Sequence, residues 1–330
     1  MIPNILLSSK QVSDSLEEYL TSPNLSSSDI KNLLISQKHF IAAKEKIDEE
    51  EKDHLIIGSA IHCLVLEGRQ EFNKRYFYFL NSTLPFPDKD MRNPQNKAAK
   101  QLALEEAKES KKTLIAEGQK VIIEACTKSI QENKTAMKIL ENTQSEQSFY
   151  YKLPFIDIEI PCKVRPDAIS EKGGYYISLK TTSRDVSPAQ WGKVCYNFNY
   201  HVSEAFYFAG LFRCLKPEFA INTGYYICVE TSPPFISMVY EINNEKRDYI
   251  SLFKEIADGN ENVDLRYSEF LSVGMNALDR GFHRFRDLVL NGMKPQGYEY
   301  EIEKDDNGDM IIQQVCLPAW AISQETARTL

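Results

Sequence analysis

The sequence has few of the features that mark exported, membrane-spanning or fibrous proteins. Its seven cysteines are scattered, odd in number and include no Cys-x-x-Cys pair, which argues against a disulfide framework and a zinc knuckle. No uncharged apolar run approaches the roughly 18 residues that a membrane span needs, and the start MIPNILLSSKQVSDS lacks a charged segment followed by a long apolar one. Only 14 Gly and 14 Pro occur among 330 residues, which excludes a collagen-like chain. We therefore expect a globular, soluble, cytoplasmic protein with no membrane partner.

The chain also lacks the positive charge that is typical of nucleic-acid-binding proteins, because its formal net charge is −8. The excess acidity lies entirely in residues 216–330, which hold 11 Lys and Arg against 19 Asp and Glu. Residues 1–215 are neutral overall and can still form a basic groove if their carboxylates face elsewhere or bind a metal. Charge therefore leaves nucleic acid open as a partner.

The first 141 residues have the periodicity of helices. Ser26 to Asp29 are typical of a helix N-terminus ahead of IKNLLISQKHF, and IIGSAIHCLVLE (56–67) predicts a buried helix. Residues 95–141 are rich in Ala, Lys, Glu and Gln, which predicts two long solvated helices broken near 116–118. The pattern favours helical N-terminal additions to a later core.

Near residue 145 the apolar period changes from helical to alternating. SFYYKLP, the stretch 156–164 and GYYISLK (174–180) predict a meander of three consecutive strands. A helix over 200–215 and two strands, in INTGYYICVE and FISMVYEI, follow. We expect one α/β domain over 1–330, in which 1–141 is mainly helical, 142–242 forms the core sheet and helix, and 243–330 is helical and acidic.

Two segments of this core carry the side chains that metal-assisted chemistry needs. Asp167 ends one predicted strand and Lys180 lies near the end of the next, so a carboxylate for a divalent cation and an ammonium beside its water can meet at one end of the sheet. Glu146 and His62 could reach the same end. Each residue also fits an ordinary position: a buried histidine, a turn aspartate, or a solvated strand end.

Several ordered segments resemble one family. The Pro-Asp and x-x-Lys arrangement resembles the PD-(D/E)xK nuclease superfamily, and the flanking motifs resemble RecE-like phage and prophage exonucleases. The motifs, in chain order, are the Ser26–Phe40 helix, GSAIHCLVLEG, MRNPQNKAAKQ, KVRPDAI, SLKTT, YHVSEAFYFAGL, VETSPPF and LPAW. The resemblance implies a restriction-endonuclease-like core, with a mixed sheet flanked by helices.

The resemblance also implies residue roles. Metal ligands for Mg²⁺ or Mn²⁺ would be His62, Glu146, Asp167 and the Leu179 carbonyl, and Lys180 would orient or deprotonate the attacking water. Ser178 would stand within the catalytic triplet. Groups expected to contact DNA are Arg92, Lys97, Arg165, Thr181, Tyr200 and Ser203, although Tyr200 also fits a core position.

Two serines depart from the family pattern. Ser178 stands where the family has a carboxylate, and Ser203 stands where its helix motif usually has Gln. The protein could be an impaired homologue, a sequence altered to trap DNA or metal, or an enzyme in which another carboxylate substitutes. Glu204 is the nearest candidate, but a helix neighbour of Ser203 points about 100° away, so we expect it not to substitute.

The implied function is a metal-dependent exonuclease acting on double-stranded DNA ends, with 5′ to 3′ polarity and a role in recombination and end resection. The implied partners are a single-strand annealing protein and further copies of the chain in a ring. The alternative is an impaired homologue that binds DNA ends without efficient cleavage, because Ser178 is a weaker ligand for a hard cation than a carboxylate.

Overall fold

A computed structural model describes residues 10–45, 53–86, 91–215, 221–242 and 269–297, which form a mixed α/β fold. The strands are β1 Lys10–Val12, β2 Tyr76–Phe79, β3 Thr113–Ala116, β4 Gln144–Ser145, β5 Ser148–Phe155, β6 Ile158–Val164, β7 Ala168–Ser170, β8 Tyr175–Thr182, β9 Thr223–Glu230 and β10 Ser237–Glu241. The helices are α1 Leu16–Thr21, α2 Ser27–Ile35, α3 Gln37–Glu45, α4 Asp53–His62, α5 Arg69–Arg75, α6 Pro94–Glu109, α7 Glu117–Glu132, α8 Lys134–Leu140, α9 Pro188–Asn197, α10 Tyr200–Cys214 and α11 Glu269–Leu290. In the described ranges, no helix is both long and apolar enough to cross a membrane.

The central sheet has five strands in the order β10-β9-β8-β7-β4. β8 and β9 are parallel, and the chain crosses between them through α9 and α10, whereas the other neighbours are antiparallel. A second sheet has the order β1-β5-β6, and β2 pairs with β3 in a small third sheet. The α/β class expected from the sequence is confirmed.

The predicted three-strand meander is wrong in its third strand. β5 and β6 form the expected hairpin, but β8 belongs to the other sheet, where it pairs with β7. The chain leaves β6 after Val164 and re-enters a strand only at Ala168. Pro166 lies in this gap. The two sheets part here, just before Asp167.

Two apolar cores cover the opposite faces of the central sheet. Ile177 and Leu179 of β8 pack with α4 and α7, whereas Tyr176 of the same strand packs with α10 and the second sheet. Because side chains alternate along a strand, Ser178 and Lys180 share the α10 face with Tyr176. This alternation determines which helix can reach each site residue.

The segment 95–141 differs from the expected pair of solvated helices. A short strand, β3, occupies the predicted break, and α7 buries Ile123, Cys126 and Ile130 against α4 and the sheet. The prediction of solvated helices followed the abundant Lys and Glu of this segment and missed the apolar side of α7, which faces the sheet. Elsewhere, the predicted helix N-terminus at Ser26 is confirmed, since the Ser26 side chain caps α2 by accepting from the Asp29 N–H.

Lys163 is a buried lysine in β6, where the alternating pattern predicted an outward-facing side chain. Its side chain is only 3% exposed, and its Nζ donates to the carbonyl oxygens of Leu20 at 3.3 Å and Ser22 at 2.8 Å. The last carbonyls of a helix have no partner within the helix and carry partial negative charge. Lys163 satisfies those carbonyls at the end of α1, which explains why a charged residue lies inside.

The helix α11 connects a late part of the chain to an early one. It packs against α10 and α2, and Arg284 Nη1 donates to the carbonyl oxygens of Leu33 at 2.9 Å and Leu34 at 2.7 Å. These carbonyls belong to the last turn of α2. Of the acidic C-terminal part, 243–330, only 269–297 is described, and the LPAW motif lies outside the described residues.

The contact between α10 and α11 depends on Gly274. A Cβ at this position would lie 2.2 Å from the His201 carbonyl oxygen and 2.7 Å from Ala205 Cβ. We expect Gly274→Ala to lower the free energy of unfolding by about 1–3 kcal/mol, the range for overpacking. Urea denaturation followed by circular dichroism measures the change.

Gly192 in α9 provides the control, because a Cβ there would meet no atom within 4 Å. Gly192→Ala should leave stability unchanged or raise it by up to about 1 kcal/mol, as expected for an exposed helical glycine. Equal stabilities of the two variants would contradict the close packing of α10 on α11.

Candidate functional site

Asp167 lies at the point where the two sheets separate. Its Oδ2 accepts a hydrogen bond from the Leu179 N–H at 2.6 Å and lies 3.8 Å from Lys180 Nζ. Its Oδ1 lies 3.5 Å from His62 Nδ1. The structure thus brings Asp167 and Lys180 together, as their spacing predicted, and His62, which was expected to be within reach of them, lies there too.

Electrostatic interactions in this cluster favour the charged forms of both Asp167 and Lys180. Burial raises the pKa of Asp167, but His62, Lys180 and the Leu179 N–H outweigh it, and the pKa is lowered from its usual value. Burial lowers the pKa of Lys180, but the charges of Asp167 and Glu204 outweigh it, and the pKa is raised. The site therefore presents a carboxylate and an ammonium side by side.

His62 is positioned by the last turn of α4. This helix approaches β8 closely, since a Cβ at Gly58 would lie 3.1 Å from Thr181 Oγ1. Directly after His62 the helix widens into a π-helical turn, Cys63–Glu67. Single π-helical turns inside α-helices are frequent at functional sites. His62 is partly exposed beside Asp167, a position that differs from that of a buried core histidine.

Glu146 and Arg165 form an ion pair beside Asp167. Glu146 has a left-handed backbone (φ 57°), and its N–H donates to the Asp167 carbonyl at 3.2 Å. Arg165 Nε donates to Glu146 Oε2 at 2.7 Å, and its Nη1 donates to Asp14 Oδ1 at 2.8 Å. Burial raises the pKa of Glu146 although Arg165 opposes the shift. The guanidinium, predicted to contact DNA, is here directed at two carboxylates.

Ser178 and Glu204 form a buried hydrogen-bonded pair, contrary to the expectation that Glu204 points elsewhere. Ser178 Oγ lies 2.9 Å from Glu204 Oε1 and 3.0 Å from Oε2, and Glu204 is 0% exposed. The 100° argument failed because α10 is enclosed on several sides, so that Ser203 is also buried. Burial raises the pKa of Glu204, although the charge of Lys180 opposes the shift.

A sequence feature could have identified Glu204. It is the one acidic residue in the apolar stretch VSEAFYFAGLF of α10, where a solvent-exposed helix face would carry several polar residues. A carboxylate in such a stretch is expected to be buried and paired. Asp14, the second carboxylate at Arg165, was also missed, and no local pattern distinguishes it.

Other residues predicted to contact DNA have different positions. Thr181 and Tyr200 line a cavity beside the cluster, and the Tyr200 ring lies 5.6 Å from Lys180 Nζ. Ser203 is buried in α10. Arg92 and Lys97 are exposed at the start of α6, which packs on the small β2–β3 sheet.

Two cavities meet at His62. One, of about 890 Å³, is lined by six carboxylates and two guanidinium groups: Asp14, Glu17, Glu67, Glu71, Glu146 and Asp167, with Arg75 and Arg165. The other, of about 720 Å³, is lined by uncharged groups that include Thr181, Tyr200 and Phe198. Its lining also includes His54 and His62. His62 therefore borders both an acidic cavity and one with few charged groups.

The donor groups around Asp167 form a partial metal-binding set. In the part of the chain that the structure describes, no three His, Cys, Asp or Glu side chains are close enough together to form a complete metal-binding cluster. Asp167 and His62 do supply an oxygen and a nitrogen donor. Mg²⁺ usually binds through only one or two carboxylates and keeps waters and substrate phosphates as its other ligands. The residues present fit such a cation.

The chain is similar to proteins of one described family. A family model described as "PDDEXK-like domain of unknown function (DUF3799)" matches residues 26–263. No curated protein sequence matches the chain.

Solved structures resemble the chain only in fold. The crystal structure of a "Putative exonuclease" from Eubacterium rectale has a TM-score of 0.54 at 12% identity, over 96% of this chain and 99% of that one. The structure of SSO0001 has a TM-score of 0.25 at 14% identity, over 75% of this chain and 88% of that one.

The ion pairs of Arg165 predict a stability difference. Arg165→Met leaves Glu146 and Asp14 without their shared cation in a site where the arginine side chain is 8% exposed. Removal of one partner of a buried ion pair typically lowers stability by about 3–5 kcal/mol. We expect a loss of this order in urea denaturation.

The exposed pair of Lys152 and Glu159, at 2.6 Å on β5 and β6, is the control. Lys152→Met should change stability by less than about 1 kcal/mol, because exposed ion pairs contribute little. A loss for Arg165→Met no greater than that of the control would show that the Arg165 pairs do not stabilise the fold.

Proposed function

Because the chain belongs to the family described as a PDDEXK-like domain of unknown function, we propose that it is a metal-dependent nuclease that hydrolyses phosphodiester bonds in double-stranded DNA. One observation carries the proposal: the Asp167 carboxylate lies between His62 and Lys180 and borders a cavity. A carboxylate that can hold a cation and an ammonium that can stabilise a reacting phosphate are the two groups this reaction needs.

The charge of the larger cavity supports the requirement for a metal. Six carboxylates against two guanidinium groups repel a phosphate, and both arginines are already paired: Arg75 with Glu67 and Glu71, and Arg165 with Glu146. A divalent cation would reverse the local sign of charge. We propose Mg²⁺ or Mn²⁺, held by Asp167 and His62, with Glu146 and the Leu179 carbonyl as the further ligands that the resemblance implies.

The residues of the chain would contribute position and charge. When bound, the metal would lower the pKa of a coordinated water and neutralise the scissile phosphate. Lys180, held charged beside Asp167, would orient the attacking water and stabilise the negative charge on the oxygens of the reacting phosphate. The water would lose a proton to the solvent as its oxygen bonds to phosphorus. The bond from phosphorus to the 3′ oxygen would break, and the 3′ oxygen would take up a proton from the solvent, which gives a 3′ hydroxyl and a 5′ phosphate.

The smaller cavity offers a path for the DNA strand. Its lining of hydroxyl groups and aromatic rings includes Thr181, Tyr200 and Phe198. Hydroxyl groups bond phosphate oxygens, and aromatic rings stack on bases. We propose that the reacting strand passes this cavity before it reaches Asp167.

The finer features of the activity are proposals that rest on the resemblance. They are digestion from duplex ends, 5′ to 3′ polarity, a role in recombination, cooperation with a single-strand annealing protein, and assembly of a ring. Arg92 and Lys97 would then contact phosphates at some distance from the cluster, where exposed cations can bind DNA without reading its sequence.

A second candidate function follows from Ser178. A hydroxyl group is a weaker ligand for Mg²⁺ than a carboxylate, so the chain could bind duplex ends without efficient cleavage. Separate measurements of binding and cleavage distinguish this function from that of a working nuclease.

The central prediction concerns Asp167 and Lys180. We expect Asp167→Asn and Lys180→Met each to slow digestion of linear duplex by at least about 100-fold, because metal ligands and charge-stabilising groups contribute several kcal/mol to such reactions. The measurement is release of end-labelled nucleotides in Mg²⁺ or Mn²⁺, with binding measured on the same duplex in Ca²⁺. Closed circular DNA tests the requirement for an end.

Lys172→Met is the matched control, because Lys172 is an exposed lysine in the turn before β8, at the other end of the strand from Lys180. This variant should digest DNA at the unaltered rate. Unaltered protein that binds duplex but releases no nucleotide would favour the binding function, and a full rate in Asp167→Asn would refute the proposed site.

A further inference from the structure

The middle of β8 places the neutral residue Ser178 beside the two charged groups of the candidate site. Ser178 and Lys180 are two residues apart on β8 and face α10, and between them the Leu179 N–H bonds the Asp167 carboxylate. A side chain at position 178 is therefore next to both Lys180 and Asp167. The residue there is a neutral serine with 0% exposure.

A carboxylate from α10 reaches this position instead. Both oxygens of Glu204 lie within 3.0 Å of the Ser178 hydroxyl. That hydroxyl has one proton and can donate to only one carboxylate oxygen at a time, so the carboxylate retains lone pairs for another partner. Glu204 is completely buried, and a buried carboxylate without a cation is unfavourable unless it is neutralised.

The charges around Glu204 indicate what that partner is. The charge of Asp167 acts unfavourably on Glu204, and that of Lys180 acts favourably. Lys31 is a second ammonium that acts on Glu204, so two carboxylates and two ammonium groups balance in formal charge, but the two carboxylates still repel each other. A divalent cation next to both carboxylates would remove this repulsion, since Mg²⁺ and Mn²⁺ are commonly bound by carboxylate pairs.

We propose that Glu204 supplies from α10 the carboxylate that β8 lacks at Ser178, and that it binds, together with Asp167, the divalent cation of the site. This inference rests on the proposed function. The formal charge of the cluster is then the same as if position 178 were acidic and position 204 neutral. Ser178 is the positioning residue, because its hydroxyl holds the Glu204 carboxylate toward β8.

The proposal changes the expectation for the protein as it stands. The serine at position 178 is not a defect, because the ligand has moved from the strand to the helix. Restoring an acidic residue at 178 while Glu204 remains puts a second anion at hydrogen-bonding distance in a buried place, where like charges repel. The two positions should therefore be interdependent.

Calorimetric titration of the full chain with Mn²⁺ alone, without DNA, tests the proposal independently of activity. The variants are Asp167→Asn, Glu204→Gln, Ser178→Asp, and the double variant Ser178→Asp with Glu204→Gln. Glu159→Gln, which alters an exposed carboxylate on β6, is the control. Glutamine retains the shape of Glu204 and can still bond Ser178, and thermal denaturation verifies that each variant is folded.

We expect Glu204→Gln to weaken Mn²⁺ binding by at least about 10-fold, since even groups that only support metal ligands contribute this much. The double variant should regain most of that loss because it returns a carboxylate to the same place. The control should bind as the unaltered protein does. The nuclease rates should follow the same order.

The outcomes separate this inference from the proposed function. Unchanged Mn²⁺ binding by Glu204→Gln, with loss in Asp167→Asn, would overturn the role of Glu204 and leave the metal site at Asp167 intact. A folded double variant that binds no better than Glu204→Gln would also overturn it, because Glu204 would then act through packing. Absence of Mn²⁺ binding by the unaltered protein would overturn both.

Discussion

The hydrogen bond from the Leu179 N–H to the Asp167 carboxylate determines the arrangement of the site. At 2.6 Å it joins the segment that leaves β6 to the middle of β8, at the place where the chain passes from one sheet to the other. Charge-assisted bonds of this kind are stronger than neutral ones. One carboxylate thus connects the two sheets and also faces His62 and Lys180, so packing and chemistry depend on the same group.

Much of the fold could be predicted from local patterns. The hairpin of β5 and β6, the strand at β8 and the helix over 200–215 follow from short-range periodicity, and the structure has all of them. The pairing of β8 with β7 could not be predicted, because partner choice depends on a bend of three residues. Lys163 also breaks the alternating pattern, since its partners are carbonyls of a helix about 140 residues earlier.

The candidate site was predictable to the extent that it lies on neighbouring strands. Asp167 and Lys180 were expected to meet because adjacent antiparallel segments bring their ends together. Glu204 could not be placed in the same way. Its position depends on how α10 rotates over the sheet, and that rotation is set by α11 and α2, which contact the helix from distant parts of the chain. The local sequence pattern therefore does not predict this rotation.

The hydrogen bonds from Arg284 to the last turn of α2 have a consequence for how the protein is made. Leu33 and Leu34 are synthesised about 250 residues before the arginine that their carbonyls require. During translation the chain emerges from its N-terminus, so until α11 is made the last carbonyls of α2 bond water and its apolar side stays uncovered. The early helices can reach their final packing only after the ribosome has passed residue 284, and a chain released before that point would expose the surface that α11 covers.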